Sequence, residues 1–221
     1  MTDVRDEALG ALSSLADPNR RRLYDVVVAR GRPVNRDEAA AEAGIDHSLA
    51  AYHLDKLVDE GLLDATFARP PGRSGRGAGR PAKRYERSAT EVAVSVPPRD
   101  YRLAAELLAR AVETDASGVV RDALLGAAEA AGAELASAEG APAGGDGVVE
   151  QLDAQGYEPF VDGDVIRLRN CPFHQVAREH TEVVCSMNLA LMEGLARASG
   201  GDLTPRLDPG PGRCCVAFAP R

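Results

Sequence analysis

The spacing of apolar and polar residues divides the chain into segments of different character. Residues 4–15 read as a short helix. A second helix follows Asp17, its predicted cap, with Pro18 at the first position, where a missing N–H is harmless. Its apolar stripe is Leu23, Val26 and Val27, and Gly31 ends it. Asn35 and Glu38 form a capping-box pattern for a third helix over 36–43, stopped at Gly44. Ile45 sits in a short turn, and Asp46 caps a fourth helix over 47–60, closed by Gly61. Leu62 and Leu63 lead into a strand near 62–68; a Gly/Pro/Arg loop over 69–82 and a return strand at about 83–88 complete a hairpin.

Beyond residue 90 the pattern changes twice. Residues 99–138 are rich in Ala and Leu at helical spacing, and Leu103, Leu107, Leu108, Ala111 and Val112 are expected to share one face. Val120, Leu124 and Leu135 continue the apolar content. The stretch GAPAGGDG at 140–147 reads as a flexible linker. After it come a short helix (148–155), strands near 157–161 and 164–169 turned by Asp162-Gly163, a helical region over 173–198, and strands near 203–207 and 213–218. The expected fold class is therefore α+β. It comprises an N-terminal winged helix-turn-helix (1–90), central helices suited to dimerisation (99–138) and a small C-terminal α+β domain with a cysteine cluster (148–221).

Composition sharpens this. Aromatics make up 4% of the chain and Trp is absent, so the core must be built from Leu, Val and Ala. No run of about 18 apolar residues exists, which excludes a spanning helix. The polar N-terminus has no secretory apolar region, so a cytoplasmic protein without a membrane partner is expected. The net charge of −8 looks unsuited to a polyanion. Its distribution resolves the conflict: residues 1–90 hold 15 basic and 14 acidic side chains, residues 91–221 hold 11 and 20. Within 69–87, Arg69, Arg73, Arg76, Arg80, Lys83, Arg84 and Arg87 face the single acid Glu86. A local basic stripe matters more to DNA than the global sum.

The helix over 36–43, its turn and the helix over 47–60 have the order of a helix-turn-helix. On the second helix Ala50, Leu54 and Leu57 fall on the core side. The other face offers His47, Ser48, Ala51, Tyr52 and Lys56 to a major groove. Arg73, Arg76, Arg80 and Lys83 of the hairpin suit a phosphate track or a narrow minor groove. His53 is expected to pack or hydrogen-bond beside the core, and Asp55, Asp59 and Glu60 to form a solvated or partner-facing edge. The strings LADPNRRRLYDVVVARG, SLAAYHLDKLVDEGLL and GRPAKRYERS, covering about 80 residues, resemble the ArsR-like winged-helix repressors. The resemblance implies a homodimer that reads a near-palindromic double-stranded DNA operator.

Four cysteines, Cys171, Cys185, Cys214 and Cys215, all lie in the last third. In a reducing compartment clustered thiols favour metal or redox chemistry over structural disulfides. Cys171-Pro-Phe-His174 sets two soft or borderline ligands three positions apart. Cys214 and Cys215 fall in an expected strand, where neighbours face opposite ways, so only one of them should join a given site. Were 173–198 one straight helix, His174 and Cys185 would stand about 16 Å apart and could not share an ion. His180-Thr181-Glu182 offers a break, with Thr181 as a cap and Cys185 in the first turns of the second helix. His180 and the methionines are assigned no chemistry.

Three converging cysteines with an open or His-filled fourth position suit an iron–sulfur cluster, with zinc as the alternative. Behind an ArsR-like winged helix, the spacing also resembles the repressors of iron–sulfur cluster assembly (suf) operons. That resemblance implies a cluster on Cys171, Cys185 and Cys214, with His174, Cys215 or an external group as fourth ligand, and repression relieved when the cluster is lost. Buried structural cysteines and a reversible thiol switch are the competing readings of the same residues. An enzyme is not expected: no Gly-rich phosphate loop, metalloprotease helix or Ser/His/Asp signature is present, and C-x-x-H is not a thioredoxin-type pair. A thiol- or metal-dependent enzyme and a protein–protein adaptor that reuses a winged helix are the alternatives to a DNA-binding regulator.

Overall fold

The computed structural model describes residues 4–68, 81–95, 97, 99–137, 144–200, 202–210 and 212–220. They fall into two compact units, Met1–Arg99 and Asp100–Arg221. Among the described residues no helix is long and apolar enough to cross a membrane.

In the first unit, α1 (Val4–Ser14), α2 (Pro18–Arg30), α3 (Arg36–Ala43) and α4 (His47–Asp59) surround a small three-stranded antiparallel sheet of β1 (Val34–Asn35), β2 (Leu63–Ala68) and β3 (Ala82–Arg87), in the order β1-β3-β2. The expected caps are all in place. The Asp17 carboxylate accepts from the amides of Asn19 and Arg20, Asn35 and Glu38 close the capping box, and Asp46 accepts from Ser48 and Leu49. Gly31 and Gly44 end their helices in the left-handed conformation. Leu23, Val27, Ala50, Leu54, Leu57, Leu63 and Tyr85 form the buried centre. The short strand β1 was not expected: two residues carry no readable period, and they are strand only because β3 pairs with them through Val34–Tyr85 and Asn35–Arg84.

The second unit contains α5 (Tyr101–Thr114), α6 (Val119–Ala136), α7 (Gly144–Ala154), β4 (Pro159–Asp162), β5 (Val165–Leu168), α8 (His174–Ala177), α9 (Thr181–Ser199), β6 (Leu203–Leu207) and β7 (Val216–Pro220). The four strands form an antiparallel sheet ordered β4-β5-β7-β6. Val148, Leu152, Tyr157, Leu168, Met192, Leu195, Val216 and Phe218 build its core. Helices α6 and α9 cross at backbone contact. A Cβ on Gly132 would stand 1.9 Å from the Leu191 carbonyl oxygen, and one on Gly194 would stand 2.0 Å from that of Glu129, so only glycine fits at either point.

Three expectations change here. The 99–138 helices are part of the C-terminal unit rather than a separate segment, and α6 lies against α9. Residues 144–147 of the expected linker belong to α7, because burial of Gly147, Val148 and Leu152 overrides the weak helix propensity of glycine. On α5 the expected single apolar face splits in two. Ala109 and Val112 are buried with Val183, while Leu103, Leu107, Leu108 and Ala111 remain exposed.

Candidate nucleic-acid interface and thiol centre

Helix α4 has the geometry of a reading helix. Ala50, Leu54 and Leu57 are fully buried, which fixes its orientation with about 1.5–3 kcal/mol from each leucine. The opposite side is open: His47, Ser48 and Tyr52 are exposed, and Lys56 is half-buried with no ion-pair partner among the described residues. The ring of Tyr52 stands edge-on to that of His53, centroids 5.2 Å apart, which holds the phenol outward. His53 is buried, as the packing reading requires, with Nδ1 unpaired.

The entry of α4 is more acidic than the sequence suggests. His47 Nε2 is paired with Asp37, and the Ser48 hydroxyl bonds the Asp46 carboxylate. Hydrogen bonds from the Ser48 hydroxyl and from the backbone amides of Ser48 and Leu49 hold the Asp46 carboxyl below its ordinary range. The Ser48 and Leu49 amides are therefore already satisfied by Asp46.

Of the hairpin residues, Arg73, Arg76 and Arg80 lie outside the described residues. Lys83 is described, and it is not free. Its ammonium donates to Asp55 at 2.7 Å, and the Tyr85 hydroxyl donates to the same carboxylate oxygen at 2.9 Å. Burial works to raise the Asp55 carboxyl, and these two bonds outweigh it and hold it low. Asp55 is thus a clasp between α4 and β3 on the solvated edge that the sequence suggests. The signal was its place on the exposed side of α4 opposite a basic hairpin. Arg36, exposed at the first position of α3, acts electrostatically on the same carboxylate. It is a further cation beside α4 that the sequence reading passed over.

The second site lies among the cysteines. Cys171 follows β5, Cys185 is in the second turn of α9, and Cys214 and Cys215 occupy the bend before β7. The expected break is present: α8 ends before His180, and α9 begins at Thr181. Thr181 is not the cap; its hydroxyl bonds back to the Ala177 carbonyl at 2.7 Å. His180 occupies that position, buried, with Nδ1 2.9 Å from Glu113 of α5. The break turns the chain so that the Cys185 thiol meets the Cys215 thiol, which meets Cys214, which meets Cys171.

The expectation that Cys214 and Cys215 lie in a strand, on opposite faces, is not met. Strand β7 begins at Val216, so the doublet lies outside the pleat that would alternate its side chains. The bend is pinned by the Cys214 amide on the Leu168 carbonyl, 2.9 Å, and by the Asp208 amide on the Cys215 carbonyl, 2.7 Å. Asp208 in turn is paired with Arg167 and Arg213.

The electrostatics single out one sulfur. The Cys171 thiol, then the Cys215 thiol, the Val216 amide and Asn188 hydrogen-bond Cys214 and pull it well below the ordinary thiol range against its burial. The donors move the other way: Cys171 and Cys215 are raised by their bonds to Cys214 and by burial. His174 is exposed, and it is not among the groups that act on the thiols of Cys171, Cys214 and Cys215. Among the described residues no group of three or more His, Cys, Asp or Glu side chains is already arranged to hold a metal ion. As placed, the thiol groups are neighbours that act on one another. Their chemistry, an all-sulfur donor set on three converging segments, fits a soft ion or an iron–sulfur cluster once the thiol protons leave.

Comparison with known proteins bears on the first site. No curated protein and no solved structure gives a significant match to the chain. Residues 15–65, from just before α2 into β2, match the family of the helix-turn-helix domain. Sequence match and geometry agree that this stretch is a helix-turn-helix domain, and this supports a DNA-binding transcription regulator rather than an enzyme.

Proposed function

We propose that the protein is a homodimeric transcriptional repressor of the ArsR-like type. It reads an operator in double-stranded DNA through α4 and the arginine hairpin, and its C-terminal thiols sense an iron–sulfur cluster, a metal or a redox state. The observation that carries the reading is the two-sided build of α4: a fully buried apolar side beside an open side of His47, Ser48, Tyr52 and Lys56, inside a matched helix-turn-helix. Phosphate contacts supply affinity and the reading helix supplies preference.

Dimerisation is assigned to the exposed stripe of α5, Leu103, Leu107, Leu108 and Ala111. A second copy is the occupant because a single winged helix buries little DNA surface and a two-fold operator needs two heads. Cys171, Cys185 and Cys214 are the proposed ligands, with Cys215 ahead of His174 for the fourth position because it stands within the thiol group. A bound cluster or ion would supply a link among three segments that oxidant or metal supply can make or break. That link reaches α5 through Glu113, which holds His180 between Cys171 and Cys185. Regulation requires the ligand to favour one dimer state over the other.

The test is operator binding, followed on the protein's own promoter region at several salt concentrations. Binding should weaken steeply with salt, and Arg76→Ala with Arg80→Ala should reduce the salt slope by about 1.8. An unchanged slope removes the hairpin from the interface. Sedimentation of Leu107→Glu with Leu108→Glu should show monomer; a persistent dimer places the interface elsewhere. Anaerobic purification with absorbance and metal analysis decides among cluster, zinc and metal-free thiols.

A further inference from the structure

Helix α9 buries Val183, Val184, Met192 and Leu195, yet the centre of that buried side carries an amide. Asn188 is fully buried, three residues after Cys185 and four before Met192, so the three share one face. A buried amide left unpaired costs about 1–3 kcal/mol, and leucine would fill similar space without that penalty. Asn188 is not left unpaired. Its Oδ1 accepts the Tyr157 hydroxyl at 2.7 Å, and its Nδ2 donates to the Cys214 sulfur at 3.3 Å. Tyr157 and Cys214 are each 2% exposed, so the whole relay is shut off from water.

Both ends of the relay are fixed by backbone. The Tyr157 amide bonds the Leu152 carbonyl at 3.0 Å, and the Asn170 amide bonds the Tyr157 carbonyl at 3.1 Å. The Cys214 amide bonds Leu168, as described. The Tyr157 hydroxyl donates to the amide oxygen, which can only accept. The direction of the amide follows. With Nδ2 on sulfur, the Tyr157 proton meets Oδ1 and both bonds are made. Turned over, the amide would leave the phenolic proton unpaired and set a carbonyl oxygen against the sulfur. A protonated thiol tolerates that arrangement by donating; a sulfur bound to metal has no proton to give.

We infer that Asn188, oriented by Tyr157, is a positioning residue for the thiol centre: it donates the hydrogen bond that stabilises the Cys214 sulfur in its proton-free, metal-bound form. The Cys171 and Cys215 thiols cannot serve this role, because their bonds to Cys214 use the protons they lose on becoming ligands. Of the side-chain donors to Cys214, Asn188 is the one that persists when all the thiols bind, with the Val216 amide as its backbone counterpart. Outer hydrogen bonds of this kind set the electron density of a ligand sulfur and hence the affinity and spectrum of the metal.

This inference rests on the thiols forming a metal centre, and the experiment separates the two. The metal-free full-length protein is titrated with Co(II) under argon, following the near-ultraviolet sulfur-to-cobalt charge-transfer band. Asn188→Leu is expected to bind Co(II) about 10–100-fold more weakly and to shift that band. Tyr157→Phe, which removes one hydroxyl and keeps the ring, is expected to shift it the same way by less, and it carries the test if Asn188→Leu does not fold. A pair that matters only for packing would change the melting temperature and leave affinity and band as in the wild type; that result overturns the inference. A wild-type protein that takes up no Co(II) overturns the metal-centre reading and the inference with it.

Discussion

Helices α4 and α9 use polar residues in opposite ways. In α4 Ala50, Leu54 and Leu57 are buried beside His53, and His47, Ser48, Leu49 and Tyr52 are exposed. In α9 Val183, Val184, Met192 and Leu195 are buried, and so are Asn188 and His180 at its start. The first helix works by presentation, leaving side chains open to a partner. The second works by enclosure, holding polar groups where water cannot compete for them. Substitution in α4 should therefore separate stability from binding, whereas in α9 the two should be entangled.

The largest expected effect is on the buried side of α4. Leu54→Ala should lower stability by about 2–5 kcal/mol, read by chemical denaturation. A loss under 1 kcal/mol would mean that α4 is not packed as described. Next comes the glycine crossing behind α9: Gly194→Ala should cost about 1–3 kcal/mol or more, because the new methyl meets backbone rather than a movable side chain. On the open side of α4, Tyr52→Ala should leave stability within about 0.5 kcal/mol and weaken operator binding about tenfold or more, roughly 1.4 kcal/mol. Equal losses in both would erase the distinction between the two sides.

The smallest effect is at the clasp. Asp55→Asn should cost about 1 kcal/mol by weakening the bonds from Lys83 and Tyr85. The pH dependence has a definite sign. The folded Asp55 carboxyl lies below its unfolded value near 4, so its contribution is complete above that pH and fades as the pH falls through the lower folded value. An acid titration of stability should thus be flatter below about pH 4 in Asp55→Asn than in the wild type.

Much of the first unit was legible because its signals are local. Asp17 with Pro18, Asn35 with Glu38, and Asp46 each sit within three residues of the amides they cap. Gly31 and Gly44 carry their stop signals within the same few residues. What escaped is what distance in sequence conceals. β1 exists only through pairing with β3, and Asp55 finds Lys83 and Tyr85 28 and 30 residues away. In the second unit the break at His180-Thr181 could be read and made convergence of the thiols conceivable. The bend that holds Cys214 and Cys215 could not, because an apolar run after Cys215 reads as strand back to residue 213, and the pleat argument then separates the two. Asn188 did leave a trace, one amide in the run VVCSMNLALM, but its partner Tyr157 comes from another segment.

The position of the doublet in a bend also has a thermodynamic consequence. One peptide unit joins Cys214 to Cys215, so their effective concentration toward each other is nearly the same in the folded and the unfolded chain. Capture of an ion or oxidant by these two sulfurs alone therefore contributes little to folding, because the unfolded chain can do it too. The segments that bring in Cys171 and Cys185 are different: unfolding disperses them, and their loop-closure entropy is recovered only in the native state. If the thiols take the ligand proposed above, its stabilisation of the C-terminal unit should scale with engagement of Cys171 and Cys185.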